Sequence, residues 1–147
     1  YVADADTRWA YGNVFQKLMD VTSEATNQDF DLYFNSKLKS KIGMNGYWNN
    51  GLIFKRYYSN TRSMARFGVL ALNNGKWENE QVINESFFNA PTDMYAAMGA
   101  NEQRIYVIPS EKMVVVRMGE AADTTSQNFA LSGFDNMLWS KINDLTD

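Results

Sequence analysis

Two apolar runs dominate the pattern along the chain, Ile105-Tyr106-Val107-Ile108 and Met113-Val114-Val115-Val116, with only Pro109-Ser110-Glu111-Lys112 between them. Val, Ile and Tyr favour strands, and a Pro-Ser-Glu-Lys tetrapeptide has turn composition. The pattern predicts an antiparallel hairpin over 103–109 and 113–118. Its runs are continuous rather than alternating, so both faces of the strands are expected to be covered. A lone hairpin is marginal in water and needs further strands beside it and helices on its faces.

Elsewhere the period is helical. Val14, Leu18, Val21 and Ala25 recur at helical spacing between about Gly12 and Thr26. A second helix is expected from Asn27 or Gln28 to Ile42, with Phe30, Tyr33, Phe34, Leu38 and Ile42 on its apolar face. Lys37, Lys39 and Lys41 suit its negative end, and Gly43 supplies a stop. Residues 44–59, punctuated by Gly and Asn, read as an irregular aromatic-rich loop. Ser59 or Asn60 caps a third helix carrying Met64, Phe67, Leu70 and Ala71, which stops at Asn73-Asn74-Gly75. A short helix near Asn84–Phe88 follows. After the hairpin, a helix is expected over Ser126–Leu145 with Leu131, Phe134, Leu138, Ile142 and Leu145 on one stripe, and Ser132 and Asp135 as a capping pair.

Helices followed by a strand pair make this an α+β chain, and 147 residues are one domain's worth. Apolar content of 45% and aromatic content of 14% fit a globular protein. A net charge of −3, with no basic cluster, gives no electrostatic case for nucleic acid as a partner. The absence of Cys and His excludes disulfides and thiolate chemistry, and removes the usual general base and commonest metal ligand. Catalysis must then rest on Ser, Lys, Tyr or carboxylates, with no cofactor implied. No apolar run approaches the roughly 20 residues of a membrane span, and no signal peptide is evident. The start at Tyr1 reads as processed or trimmed.

Tyr11-Gly12-Asn13 opens the first helix, where the plain reading is a packed Tyr and a cap. Ser36-Lys37-Leu38-Lys39 is the one Ser-x-x-Lys match. It sits in a lysine-rich helix end, where that spacing arises by chance. Other Ser, Asp and Glu residues read as caps and solvated faces.

The ordered motifs carry more. A Gly-x-x-x-Gln lead-in (Gly99 to Gln103), then I-Y-V-I-P-S and V-V-V-R-M-G, resembles the terminal strands of the β-lactamase-like serine hydrolases. That family holds class C β-lactamases, D-alanyl-D-alanine carboxypeptidases, penicillin-binding proteins and related esterases and amide hydrolases. Tyr11-Gly12-Asn13 is similar to its Tyr-x-Asn element, and Ile42-Gly43-Met44 to a Leu-Gly-Met signal about 30 residues later. The run S-N-T-R-S-M-A-R-F-G-V-L-A-L-N-N-G-K-W, Ser59 to Trp77, and the late F-A-L-S-G-F-D-N-M-L-W complete the series.

The resemblance implies a β-lactamase/transpeptidase-like fold, an antiparallel sheet flanked by helices plus a helical region, of which this chain is an incomplete, C-terminal portion. Residues 1–88 are its mainly helical part and 89–147 its terminal strands and helix. The nucleophile's Ser-x-x-Lys is then expected before Tyr1, because in the family it precedes the Tyr-x-Asn element, which also rules out Ser36. A break in the chain is expected at Phe88–Asn89, where relatives carry an aromatic tract before an A-P-x-D-M-like string.

In such an enzyme Tyr11 is the proton shuttle, its phenolate favoured by an adjacent Lys ammonium. Asn13 hydrogen-bonds that Lys or the acyl group. The family's Lys- or His-x-Gly falls on Met94-Tyr95-Ala96, which lacks the cation. Tyr95 and Ala97 become substrate-binding candidates, with a main-chain N–H near Ala97 as half of an oxyanion hole. The implied activity is cleavage of a small ester, amide or peptide-like substrate through an acyl-enzyme, in the periplasm, cell envelope or outside the cell. The other readings are a non-catalytic homologue binding a ligand or cell-wall fragment in the same cleft, and a small structural domain sharing the scaffold alone.

Overall fold

The computed structural model describes residues 14–51, 55–88, 93–122 and 133–146. Tyr11, Asn13, the Phe88–Asn89 junction and the whole 126–132 stretch, with the expected cap Ser132, lie outside the described residues.

Helix α1 spans Val14–Thr26. It ends because Asn27 turns left-handed at φ 51°, and the Gln28 N–H returns to the Ser23 carbonyl. The Val14, Leu18 and Val21 stripe does not face the described core; these residues are 68%, 60% and 58% exposed. The second helix starts later than expected, since a left-handed Asn27 cannot begin it. Asp29 is its cap, accepting from the Asp31 and Leu32 amides. Helix α2 covers Phe30–Phe34 and continues as a π-helical segment, Asn35–Lys39, before Gly43 stops the turn at φ 64°.

Residues 44–59 are not an irregular loop. Strands β1 (Gly46–Asn50) and β2 (Lys55–Ser59) pair antiparallel, Trp48 opposite Tyr57 and Tyr47 opposite Tyr58. The Gly and Asn residues hid a period of two. Trp48 and Tyr57 turn inward onto Phe34 at ring distances of 5.3 and 5.1 Å, while Tyr47 and Tyr58 stack outside.

Helix α3 spans Thr61–Leu72, with Asn60 as its cap accepting from the Ser63 amide at 2.8 Å. The buried Ser63 hydroxyl in turn accepts from Asn45 N–H, tying the helix start to the entry of β1. Leu70 joins Ile42 and Met44 in a small core, against which Phe67, Met64 and Trp77 pack. Short strands β3 (Lys76–Trp77) and β4 (Glu80–Gln81) follow, then a 3-10 turn at Glu85–Phe88.

The main sheet has three antiparallel strands, β5 (Tyr95–Met98), β6 (Arg104–Ile108) and β7 (Met113–Arg117), in that spatial order. Helix α4, Phe134–Thr146, closes the described chain. Both faces of β6 are covered, which is what its continuous apolar run demands. Ile105, Val107, Val114 and Val116 share one face. There a β-carbon on Gly68 of α3 would lie 2.4 Å from Val114 Cγ1 and 3.0 Å from Ile105 Cγ2. The missing side chain is what lets α3 seat on the strands.

The opposite face belongs to α4. Arg104, 1% exposed, donates Nε–H to Asp135 Oδ1 at 2.9 Å and Nη2–H to Oδ2 at 3.2 Å. The Tyr106 hydroxyl also donates to Asp135, and its ring meets Trp139 edge-on at 5.0 Å. Arg117 lies 5.1 Å from the Phe134 ring. Asp135, expected as half of a capping pair, thus ties helix to sheet. Leu145, placed on the apolar stripe, is 85% exposed.

Candidate active-site edge

Strand β5 borders solvent on one side, and its hydrogen-bond parity decides what it shows there. The Gly99 N–H donates to the Gln103 carbonyl at 2.8 Å, so Gly99 and Gln103 form a bonded pair. Bonded and non-bonded pairs alternate along an antiparallel ladder. The register sets Met98 opposite Arg104, Ala97 opposite Ile105, Ala96 opposite Tyr106 and Tyr95 opposite Val107. Ala97 and Tyr95 therefore turn their amides to β6, and Ala96 and Met98 turn theirs outward. Among the described residues no strand pairs with that edge. The open main-chain donors near Ala97 are those of its two neighbours.

Side chains follow the other parity. Tyr95 and Ala97 face α3, and the Tyr95 hydroxyl donates to the Ala71 carbonyl at the end of that helix, 3.0 Å away. Burial raises its pKa above the ordinary 10.0. Tyr95 is thus a brace between helix and strand. Beneath it, Phe67, Gly68, Ala71, Phe88, Ala97 and Val107 surround a hollow of about 240 Å³.

The turn out of β5 is held from two directions. Asn101 and Glu102 are left-handed at φ 54° and 53°, conformations costly for non-glycine residues. Gln103 secures them: its amide donates to the Asn101 and Gly119 carbonyls and its oxygen accepts from Gly119 N–H at 3.0 Å. Arg117 donates to the Asn101 carbonyl at 2.7 Å, and the buried Glu102 carboxylate accepts from the Ala122 N–H. At the other end of β5, Asp93 accepts from both the amide and the hydroxyl of Ser110. Those two bonds hold the Asp93 carboxyl below its ordinary range.

The clasp on the far face has its own electrostatics. Burial opposes ionisation of Asp135, but hydrogen bonds from Arg104 and Tyr106 and the Arg104 charge outweigh it, so its pKa lies below 3.8. Burial, then the bond to Asp135, pushes Tyr106 up to about 12. The sequence did not reveal Arg104 and Glu102 as buried charges, or the half-buried Asp135 as the partner of Arg104. The signal available for Arg104 was its place at the head of the most apolar run, where a charge needs a partner.

Ser36 is exposed and donates its hydroxyl to the Tyr33 carbonyl at 2.9 Å. Among the described residues no cluster of three or more acidic groups is placed to hold a metal, and no helix is long and apolar enough to cross a membrane.

No family model and no curated protein matches the sequence. Among solved structures, one described as "Putative 6-aminohexanoate-dimer hydrolase from Bacillus anthracis" superposes with a TM-score of 0.80 at 19% identity. The match covers 98% of this chain and 45% of that one, so the chain spans under half the length of its structural neighbour. Likeness at this identity speaks for the fold alone. The chain shares with that neighbour an α+β fold of antiparallel strands and helices.

Proposed function

We propose that this chain belongs to a serine hydrolase that cleaves an ester or amide through an acyl-enzyme, with the Ser-x-x-Lys nucleophile outside these residues. The observation that carries the reading is the fold likeness, spanning 98% of the chain, to a structure described as a hydrolase. The open β5 edge supports it, because acyl transfer needs fixed main-chain donors facing the developing oxyanion.

The roles follow from the chemistry. The serine oxygen attacks the carbonyl carbon while Tyr11, as phenolate beside a Lys ammonium, takes the hydroxyl proton. Tyr11 then gives that proton to the departing alcohol or amine. Water, deprotonated by the same Tyr, releases the acid and restores the serine. Asn13 orients the Lys or the acyl group, and an outward amide of Ala96 or Met98 receives the oxyanion. Met94-Tyr95-Ala96 offers no cation for a substrate carboxylate, which favours neutral esters and amides over β-lactams. The periplasm, cell envelope or extracellular space is the compartment proposed.

The test uses the protein that carries this chain, treated with a fluorophosphonate probe and mapped by peptide mass spectrometry, beside turnover of p-nitrophenyl acetate. One labelled serine, three residues before a lysine and outside 1–147, is expected. Folded protein with neither label nor turnover would leave the non-catalytic binder in its place.

A further inference from the structure

The hollow beneath Tyr95 is chemically one-sided. Its wall from α3 is Phe67, Gly68 and Ala71, its far wall Val107, and Phe88 closes one end. Among the described lining residues the one polar side-chain group, the Tyr95 hydroxyl, is already bonded to the Ala71 carbonyl. An occupant with its own hydrogen-bonding groups would leave them unmet there, at a cost that excludes it. Hydrocarbon carries no such cost. The volume of about 240 Å³ exceeds the roughly 150 Å³ that holds a benzene ring in an apolar cavity.

Position matters as much as lining. Ala96 and Ala97 both border the hollow, and Ala96 and Met98 flank Ala97 with outward amides. A carbonyl held at those amides lies at the strand edge, and a chain attached to it can pass over the Ala97 methyl toward α3. The rim there is Phe87, which is 78% exposed and so free to cover a bound chain.

We propose that this hollow is the acyl-group subsite, taking a short linear hydrocarbon chain whose carbonyl rests on the β5 edge. The inference rests on the hydrolase reading for its catalytic consequence, but not for binding. Each buried methylene is worth about 3–4-fold in affinity for the transition state, so four of them are worth on the order of 10²-fold. The hollow's limited volume then ends the gain.

The experiment compares p-nitrophenyl acetate, butyrate, hexanoate and dodecanoate on the protein that carries this chain. It also follows the methyl signals of Ala71, Ala97 and Val107 on titration with sodium hexanoate and sodium acetate. Expected are a rise in kcat/KM of about 10²-fold from acetate to hexanoate, no further gain at dodecanoate, and saturable shifts with hexanoate alone. Ala97→Leu, on an exposed strand position, should cut the hexanoate-to-acetate ratio about tenfold; because both esters meet the same variant, general damage cancels. Methyl shifts without turnover of any ester would sink the hydrolase reading and keep the subsite. Turnover with a flat chain-length profile and no methyl shifts would sink the subsite and keep the hydrolase. Absence of both would overturn both.

Discussion

Gly68→Ala sets two terms of opposite sign against each other. In an isolated helix the change is favourable by about 1 kcal/mol, because Gly has the worst propensity of any residue but Pro. Here the new β-carbon would stand 2.4 Å from Val114 Cγ1 and 3.0 Å from Ile105 Cγ2, where carbon atoms rest at about 3.5–4.0 Å. Neither neighbour is the free end of a long side chain; Val and Ile are stiff at χ1 and stand on a paired ladder. Overpacking of this kind costs about 1–3 kcal/mol, and an overlap above 1 Å belongs at the upper end. The net expectation is a loss of about 2 kcal/mol. Urea unfolding of the protein that carries this chain reads it as a lower midpoint at unchanged slope. Removing the obstacle with Val114→Ala should make Gly68→Ala nearly neutral in that background, a coupling of about 1–3 kcal/mol. A raised midpoint for Gly68→Ala alone would refute the close seating of α3 on the sheet.

Three further expectations concern the clasp and the mechanism. Asp135→Ala leaves Arg104 buried without its carboxylate and should cost about 3 kcal/mol, the low end for a broken buried pair because the Gly99 and Gln103 carbonyls still accept from Arg104; equal stability of variant and wild type in thermal unfolding would remove the clasp. Stability should fall as pH drops below about 4, since a depressed Asp135 pKa contributes only above the unfolded value. It should fall again as pH rises from 10 to about 12, since Tyr106 holds its proton more tightly folded than unfolded; both limbs should shrink in the Asp135→Ala, Tyr106→Phe double variant, leaving the parts that Asp93 and Tyr95 contribute. If Tyr11 is the shuttle, Tyr11→Phe cuts ester turnover about 10²–10⁴-fold with the fold intact, and wild-type turnover in that variant removes it from the mechanism.

The central hairpin was readable because β-branched runs leave few alternatives, and α3 because cap, periodicity and stop agree along it. The β1–β2 hairpin was not, since Asn49, Asn50 and Gly51 carry turn signals that outweigh two inward rings in a local reading. Phe30 and Phe34, brought from α2, show which ring of each pair points in. Asp135 was misread for the same reason. Its partners stand 31 and 29 residues earlier, and from nearby sequence an Asp at a helix start looks like a cap. At the candidate site the motif spacing located β5. Which amides face outward depends on one bonded pair, Gly99 with Gln103, and no residue type encodes that parity.

The two layers on the sheet are joined by different forces, and temperature separates them. The α3 layer is held by hydrocarbon contact, whose driving force weakens on cooling. The α4 layer hangs on an ion pair with a desolvation cost that falls on heating. Cold should therefore loosen the α3 side first and heat should spare the α4 clasp longest. Trp77, packed on the core beside α3, and Trp139, against Tyr106, stand on opposite sides of that divide. A molecule cooled toward the freezing point should change the fluorescence of Trp77 while Trp139 still reports an undisturbed neighbour.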